Sequence, residues 1–306
     1  MRVLVVGAGA IGGYFGGRLL QAGRDVTFLV RPRRAEELAR DGLVIKSPHG
    51  DITIPNPPTV QAAGLKPDFD LVLLSCKAFD LDDAIASFAA GVGPQTAVLP
   101  LLNGLRHLDM LDATFGRERV LGGQCVIAAM LNAQRHVVQL APINAITFGE
   151  RDGSMSERVG AIARTLGGAG FEVKPTVEIM QEMWEKWVFL AALAGSTSLM
   201  RAPVGDILAA PGGADFMLGV VDEISAVAAE AGYPPREAFL ERTRGMLLAE
   251  GSKLTASMFR DILAGAKIEA DHIIGDLIAR GDAAKRPVAR LRVIYIHLKA
   301  YERQLG

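Results

Sequence analysis

A group of glycines near the N-terminus has the spacing that phosphate binding requires. Gly7, Gly9 and Gly12 follow a short apolar run, Arg2–Val6, and precede residues 10–22, which can continue as a helix. In such a unit the first glycine permits a tight turn, the second lets backbone amides approach a pyrophosphate, and the third lets the helix pack closely on the strand. The helix N-terminus also favours an anion. The pattern predicts a dinucleotide site, with a purely structural glycine turn as the alternative, and its residues are Gly7, Gly9, Ala10, Ile11 and Gly12.

Arg31 ends the next apolar run, Asp25–Val30, where an acidic residue would indicate NAD. A guanidinium group instead suits the 2′-phosphate of NADP(H), so the sequence favours NADP(H) over NAD(H) as the cofactor. Arg33 and Arg34 follow Pro32 closely, and the alternative for them is a solvated position in the first turn of a helix.

Lys77 and Asn103 each come directly after a buried apolar run, residues 70–76 and 96–102 respectively. Helical segments alternate with these runs, which indicates a parallel sheet with right-handed crossovers. Ligands of such sheets bind beyond the carboxyl ends of the strands. Lys77 and Asn103 are therefore candidates for contact with the cofactor.

The pattern changes again further along the chain. Three short strands joined by polar turns are predicted after residue 120, at Gly122–Leu131, His136–Leu140 and Ala145–Phe148. They indicate an antiparallel extension of the sheet. Beyond about residue 177 only helical patterns occur, at Met180–Leu199, Asp215–Ala231, Pro235–Glu250, Ile268–Arg280 and Leu291–Arg303.

The predicted fold class is therefore α/β: an N-terminal Rossmann-like, doubly wound parallel sheet with an antiparallel extension, followed by an all-α domain. We expect a nucleotide-binding domain over residues 1–176 and a helical substrate and catalytic domain over residues 177–306.

Lys186 stands out in the helical half because Trp184 and Trp187 flank it. A lysine held against such rings can lose part of its hydration, which lowers its pKa and suits it to acid–base chemistry. The alternative is a core helix from which the lysine extends its ammonium group into water.

Composition excludes several classes of protein. The 306 residues have a formal net charge of −1, so no overall basic field attracts nucleic acid or an anionic membrane. The longest apolar segment, Trp187–Met200, is shorter than the roughly 20 residues that a membrane span needs. Cys76 and Cys125 are expected as buried thiols, and the five histidines lack metal-ligand spacing. A cytoplasmic protein without a metal is expected.

One further group of polar residues, Ser257 with Asp261 and Glu269, completes a recognisable pattern. With these residues the chain resembles the ketopantoate reductase (2-dehydropantoate 2-reductase) family along nearly its whole length. The other matching features are Gly7-Ala8-Gly9-Ala10-Ile11-Gly12-Gly13, Arg31, Lys77, Leu102-Asn103-Gly104 and Trp184-Glu185-Lys186.

The resemblance implies NADPH-dependent reduction of a 2-oxo acid, ketopantoate to pantoate in pantothenate biosynthesis. It implies that Lys186 is the general acid and that Glu269 helps to hold this lysine and the substrate. It further implies that Ser257 binds the substrate carboxylate, and that Asn103 and Lys77 lie along the cofactor near the reaction centre. The alternatives are a helix N-cap for Ser257 and a first-turn charge that complements the helix dipole for Glu269.

The chain departs from the family pattern at Leu190 and Ala194, four and eight residues after Lys186, where the family usually has asparagines. Both positions share a helix face with the lysine. An unpaired buried polar group of the substrate costs roughly 1–3 kcal/mol. Ketopantoate remains the default substrate by family resemblance, and the alternative hypothesis is a paralogue that reduces a more apolar 2-oxo acid or related carbonyl compound.

Two other functional hypotheses remain. A non-catalytic, NADPH-binding regulatory protein would also explain the loss of the two asparagines. A β-hydroxyacid dehydrogenase also uses a lysine on a helix, but normally with asparagine four residues later, where this chain has Leu190. The apolar faces of the helical half allow a homodimer.

Overall fold

The computed structural model describes residues 1–305 as two compact units. The N-terminal unit comprises Met1–Leu102 and His107–Ile179. The C-terminal unit comprises Asn103–Arg106 and the chain from Met180 onward.

The N-terminal unit contains two sheets. Its strands are β1 (Arg2–Val6), β2 (Asp25–Leu29), β3 (Leu43–Lys46), β4 (Ile52–Ile54), β5 (Thr59–Val60), β6 (Leu71–Leu74), β7 (Ala97–Pro100), β8 (Gly122–Leu131), β9 (Val137–Gly149) and β10 (Glu172–Pro175). Its helices are α1 (Ala10–Gln21), α2 (Pro32–Asp41), α3 (Leu81–Phe88), α4 (Arg106–Phe115) and α5 (Glu157–Leu166).

The first sheet is parallel throughout and has the order β5-β2-β1-β6-β7. The second sheet has the order β10-β9-β3-β4, with β8 also paired to β9. The β8–β9 and β3–β4 pairs are antiparallel, whereas β9 is parallel to both β3 and β10. The Rossmann-like fold class is confirmed, and its extension is a second, mixed sheet.

The strand β9 replaces two of the strands predicted from sequence. Residues 141–144 look like a turn, but the strand runs through them, and the register of β8 shifts between Ile127 and Ala129 opposite this point. Pro142 lies within the shifted stretch, where no regular ladder hydrogen bond is required of it.

Helix α1 packs against both sheets because its glycines leave room for their side chains. A Cβ on Gly16 would lie 2.6 Å from the ring of Phe28 on β2, and one on Gly17 would lie 2.6 Å from Ile45 on β3. One continuous core cluster contains buried residues of both sheets, including Phe28 and Ile45. The position of α1, and of the turn before it, is therefore fixed from two sides.

The C-terminal unit is helical. Its helices are α6 (Ile179–Met200), α7 (Val204–Ala209), α8 (Gly213–Glu230), α9 (Glu237–Leu247), α10 (Ser257–Leu263), α11 (Asp276–Ala283) and α12 (Ala289–Gln304), with a π-helical turn at Asp271–Gly275 before α11. Helix α6 is apolar on nearly every face, as expected of a helix that other helices surround, and Trp187, Val188 and Ala191 on it are at most 1% exposed. Within residues 1–305, no helix has both the length and the apolar character that crossing a membrane requires.

Candidate functional site

The glycine turn after β1 is closed on the side that faces the sheet. Gly7 has φ +90°, and its N–H donates to the carbonyl oxygen of Leu29 on β2 at 2.9 Å. A Cβ on Gly12 would lie 2.2 Å from the carbonyl oxygen of Gly7 and 2.4 Å from Oγ of Ser75. Only glycine allows α1 to approach the turn this closely.

The opposite side of the turn is open. A Cβ on Gly9 would meet no described atom within 4 Å. No described side chain caps α1, and its first turn carries no acidic residue. The first N–H groups of a helix have no acceptor within the helix. Open space, N–H donors and the positive end of the helix therefore fit a pyrophosphate at Ala10 and Ile11.

Three of the predicted cofactor residues follow strand ends that are in register. Val6 pairs with Leu29 on β2 and with Leu74 on β6. Gly7, Arg31 and Lys77 come one, two and three residues after these positions. The carboxyl edge of the first sheet therefore carries all three, as expected for a parallel sheet that binds a nucleotide.

Arg31 points away from the protein core at this edge. Its side chain is 72% exposed, and its Nη2 lies 3.5 Å from a carboxylate oxygen of Asp80 and 3.5 Å from one of Asp83. An exposed guanidinium with two loose acidic neighbours can take a phosphate instead.

The two arginines that follow Arg31 differ from each other. Arg33 is solvated, with 91% of its side chain exposed. Arg34 is only 11% exposed, donates from Nε to the carbonyl oxygen of Ala8 at 3.2 Å, and pairs with Glu37 at 3.0 Å. The hydrogen bond from Arg34 lowers the pKa of Glu37, against the opposing effect of burial. The solvated alternative is thus wrong for Arg34, which supports the glycine turn.

Lys186 lies half-buried on α6 in the C-terminal unit. The rings of Trp184 and Trp187 pack 5.0 Å apart, and the guanidinium of Arg280 lies 5.7 Å from the centre of each. Trp187 also donates from Nε1 to the carbonyl oxygen of Ile273 at 3.0 Å. The helix segment that carries the lysine is therefore firmly packed.

The residue before the lysine, Glu185, binds Arg236 and Gln181 through its carboxylate. Its carboxylate is 5% exposed and accepts from Nη2 of Arg236 at 2.6 Å, from the backbone N–H of Arg236 at 3.0 Å and from Nε2 of Gln181 at 3.1 Å. Burial alone raises the pKa of Glu185, but these hydrogen bonds outweigh it and lower the pKa overall. Glu185 has a structural role that sequence reasoning did not assign.

Ser257 is the first residue of α10 and is half-buried. The N-cap is Ala256, without a side-chain hydrogen bond, so the helix-cap alternative for Ser257 is wrong. The backbone nitrogen of Ala256 lies 3.5 Å from Oγ1 of Thr197 on α6. Ser257 therefore follows a residue that contacts the helix carrying the lysine.

Glu269 and Asn103 are both half-buried, and His272 connects them. The carbonyl oxygen of Glu269 accepts from the N–H of Ile273 at 3.0 Å, which starts the helical turn. The ring of His272, whose residue is 5% exposed, is hydrogen-bonded to the backbone of Asn103. Sequence reasoning missed this histidine; its only local signal is its spacing of three residues from Glu269.

Leu190 and Ala194 follow Lys186 by one and two helical turns. Leu190 is half-buried and Ala194 is 2% exposed. The face of α6 that follows the lysine is therefore apolar, and neither side chain on it can form a hydrogen bond.

Neither cysteine of the described chain forms a disulfide. Cys125 is buried on β8, as expected, whereas Cys76 is half-buried just beyond β6.

Comparisons with known proteins agree with this architecture. The family described as "Ketopantoate reductase PanE/ApbA" matches residues 3–153, and "Ketopantoate reductase PanE/ApbA C terminal" matches residues 178–302. "Uncharacterized oxidoreductase YkpB" of Bacillus subtilis is 36% identical over 302 residues, covering 99% of each chain.

Two solved structures show the same fold. The crystal structure of 2-dehydropantoate 2-reductase from Geobacter metallireducens is 27% identical, with a TM-score of 0.88, and covers 98% of this chain and 99% of that one. The structure of D-mandelate dehydrogenase with NADH and anilino(oxo)acetate is 19% identical, with a TM-score of 0.89, and covers 100% and 99%.

The parallel sheet with its glycine turn and the helical unit that follows define a Rossmann-type oxidoreductase. Within that class, the chain belongs to the ketopantoate reductase family.

Proposed function

We propose that this protein uses NADPH to reduce a small 2-oxo acid to the corresponding 2-hydroxy acid. The observation that carries the proposal is the arrangement of the C-terminal unit, in which α6 bears Lys186 and contacts the turn that follows Glu269. The same turn is hydrogen-bonded to Asn103. These contacts link the segments that carry Lys186, Glu269 and Asn103, and a lysine, a carboxylate and an amide that act together supply the groups that carbonyl reduction needs.

NADPH, when bound, supplies a hydride to the carbonyl carbon of the substrate. Lys186 donates a hydrogen bond to the carbonyl oxygen and then its proton, so that the oxygen becomes the hydroxyl group of the product. Glu269 orients the ammonium group, and the hydroxyl of Ser257 donates to the substrate carboxylate. Asn103 binds substrate and cofactor through its side-chain amide. The products are the 2-hydroxy acid and NADP⁺.

The choice of NADPH rests on Arg31 together with the open glycine turn. The guanidinium is exposed at the carboxyl edge of the sheet, two residues beyond β2, where the adenine ribose of a dinucleotide is held in this fold. Lys77 follows β6 at the same edge and is exposed, in a position to contact the cofactor.

For the substrate, family membership makes ketopantoate the reference compound. Leu190 and Ala194 favour a more apolar 2-oxo acid, because neither side chain can hydrogen-bond to a substrate hydroxyl. The structure of D-mandelate dehydrogenase with NADH and anilino(oxo)acetate shows that this fold can hold an oxo acid with an aryl group. We therefore propose an unhydroxylated branched or aryl 2-oxo acid.

The test is NADPH oxidation by the purified protein across a panel of small 2-oxo acids, including ketopantoate. We expect turnover, with catalytic efficiency on a branched or aryl acid exceeding that on ketopantoate by at least roughly tenfold, the cost of one unpaired polar group. A clear preference for ketopantoate would overturn the substrate assignment alone. NADPH binding without turnover of any member would overturn the enzymatic function and favour the regulatory alternative.

A further inference from the structure

The ring of His272 contacts the Asn103–Gly104 turn within the C-terminal unit. The ring packs on Gly104, where φ is +72° and a Cβ would lie 3.0 Å from Cδ2 of the histidine. The same ring is hydrogen-bonded to the backbone of Asn103, and the bond favours the protonated ring. Because the bond raises the pKa of His272, the ring N–H is the donor and the carbonyl oxygen of Asn103 is the acceptor.

The segment that carries His272 is held from two other directions. It is a π-helical turn, in which the N–H of Asp276 reaches back to the carbonyl oxygen of Asp271. Tyr295 of α12 donates to the carboxylate of Asp271 at 2.6 Å, and Trp187 of α6 donates to Ile273 at 3.0 Å. Such turns occur frequently at functional sites. The ring of His272 therefore extends from a turn whose own position is well fixed.

Burial lowers the pKa of His272, although several charged groups face the ring. Glu269 and Asp276 favour the protonated form, as does the bond with Asn103, whereas Arg106 opposes it. A ring kept neutral has one N–H to donate, and here that donor goes to Asn103. The contact is thus specific, since a side chain without a donor would remove the hydrogen bond to this carbonyl of the half-buried Asn103.

We propose that His272 is a positioning residue, which fixes the Asn103–Gly104 turn relative to Glu269 and so sets where the Asn103 amide meets the substrate. This inference rests on the proposed function for its kinetic consequence. The ordering of the Asn103–Gly104 turn by the His272 ring does not depend on any activity.

The experiment compares His272→Leu, which fills the space without a donor, with His272→Gln, which retains a side-chain N–H. The matched control is Tyr295→Phe, which removes a hydrogen bond to the same π-helical turn but leaves the contact with Asn103. Two readouts are measured: hydrogen exchange of backbone amides in residues 102–106, and KM and kcat for the 2-oxo acid.

For H272L we expect exchange in residues 102–106 to rise roughly tenfold and KM to rise roughly tenfold, the effect of one buried hydrogen bond, with a smaller change in kcat. H272Q should restore most of both values, and Y295F should leave both near those of the unaltered protein. If H272L does not fold, H272Q against His272→Asn, whose amide is too short to reach, makes the same comparison.

Unchanged exchange in residues 102–106 of H272L would overturn the proposal, as would unchanged KM in an active enzyme. If the unaltered protein reduces no 2-oxo acid, the proposed function fails, and the exchange measurement alone then decides the role of His272.

Discussion

The indole Nε1 of Trp187 donates to the carbonyl oxygen of Ile273 at 3.0 Å, so the residue after Lys186 is fixed to the turn after Glu269. The residue before the lysine, Glu185, is bound on another side of the helix by Arg236. Successive residues of an α-helix are about 100° apart, so these contacts lie on two sides of the lysine. Together they fix the direction in which Lys186 leaves α6.

Replacing Glu185 tests the second of these contacts, the one with Arg236. Glu185→Gln removes a buried carboxylate that accepts four hydrogen bonds from two residues, three of them from Arg236. We expect the free energy of unfolding at pH 7 to fall by about 1.5–3 kcal/mol, the usual contribution of hydrogen bonds to a charged group. Urea unfolding measures this change, with Glu237→Gln in the exposed pair with Arg244 as the control.

The lowered pKa of Glu185 predicts how the effect of E185Q on the free energy of unfolding depends on pH. Because the pKa of Glu185 is lower in the folded protein than its ordinary value of 4.5, the carboxylate stabilises the fold above that value. This contribution is lost as the pH falls through the folded pKa. The difference in unfolding free energy between the original protein and E185Q should therefore narrow below about pH 4.5. A difference that widened on acidification would contradict the assigned role.

Two glycines of the nucleotide turn should respond differently to a single added methyl group. Gly9→Ala places its Cβ in open space at a φ of −84°, so it should leave the melting temperature nearly unchanged and weaken NADPH binding at least roughly tenfold. Gly12→Ala forces its Cβ against Gly7 and Ser75, so it should lower the melting temperature. Thermal melts and fluorescence titration with NADPH separate the two effects. Tight NADPH binding by G9A would exclude this turn as the pyrophosphate site.

Arg31 should determine the preference between the two nicotinamide cofactors. Arg31→Ala is expected to weaken NADPH binding roughly ten- to a hundredfold and NADH binding much less, since only NADPH has a 2′-phosphate. Replacing Asp80 and Asp83 by asparagine should strengthen NADPH binding up to about fivefold, because exposed ion pairs of this kind contribute little. Arg33→Ala is the control. Equal losses for both cofactors in R31A would argue against a phosphate contact.

Leu190 is the position at which the substrate preference should be easiest to alter. Leu190→Asn restores a polar group one turn after Lys186, so we expect the ratio of kcat/KM on ketopantoate to that on an unhydroxylated acid to rise roughly tenfold. Leu199→Asn, on another face of the same helix, controls for the general effect of a polar residue in α6. An unchanged ratio would show that residue 190 does not contact the part of the substrate that carries the hydroxyl group in ketopantoate.

Much of the N-terminal unit follows from local patterns. The apolar runs of β1, β2, β6 and β7 alternate with helical segments, and the glycine spacing fixes the turn before α1. The second sheet was harder to predict because β9 contains Pro142 and a shifted register, which resemble a turn in the sequence.

The helices α4 and α7 were not predicted, and α10 was anticipated only through the alternative of a helix N-cap at Ser257. Seven residues, as in α10, contain too few apolar repeats to reveal a helical period. Their helical state depends on packing instead.

The contacts that shape the candidate site lie beyond the reach of any local pattern. His272 and Asn103 are far apart in sequence, and nothing near either residue predicts that the ring meets the Asn103 backbone. The same holds for Arg34, whose bond to Ala8 converts a surface-like arginine into a support for the glycine turn. In the sequence, Lys186 is a candidate because tryptophans flank it and Arg31 because it follows an apolar run, but only the fold shows what surrounds them.

In the proposed reaction Lys186 gives the proton, and NADPH is bound independently of it. Lys186→Ala, assayed with the best substrate of the 2-oxo acid panel, tests this most directly. We predict that kcat falls roughly 10²- to 10⁴-fold, the range for loss of a general acid, while the Kd for NADPH stays within about twofold. A K186A protein that retains the original kcat would exclude Lys186 as the general acid.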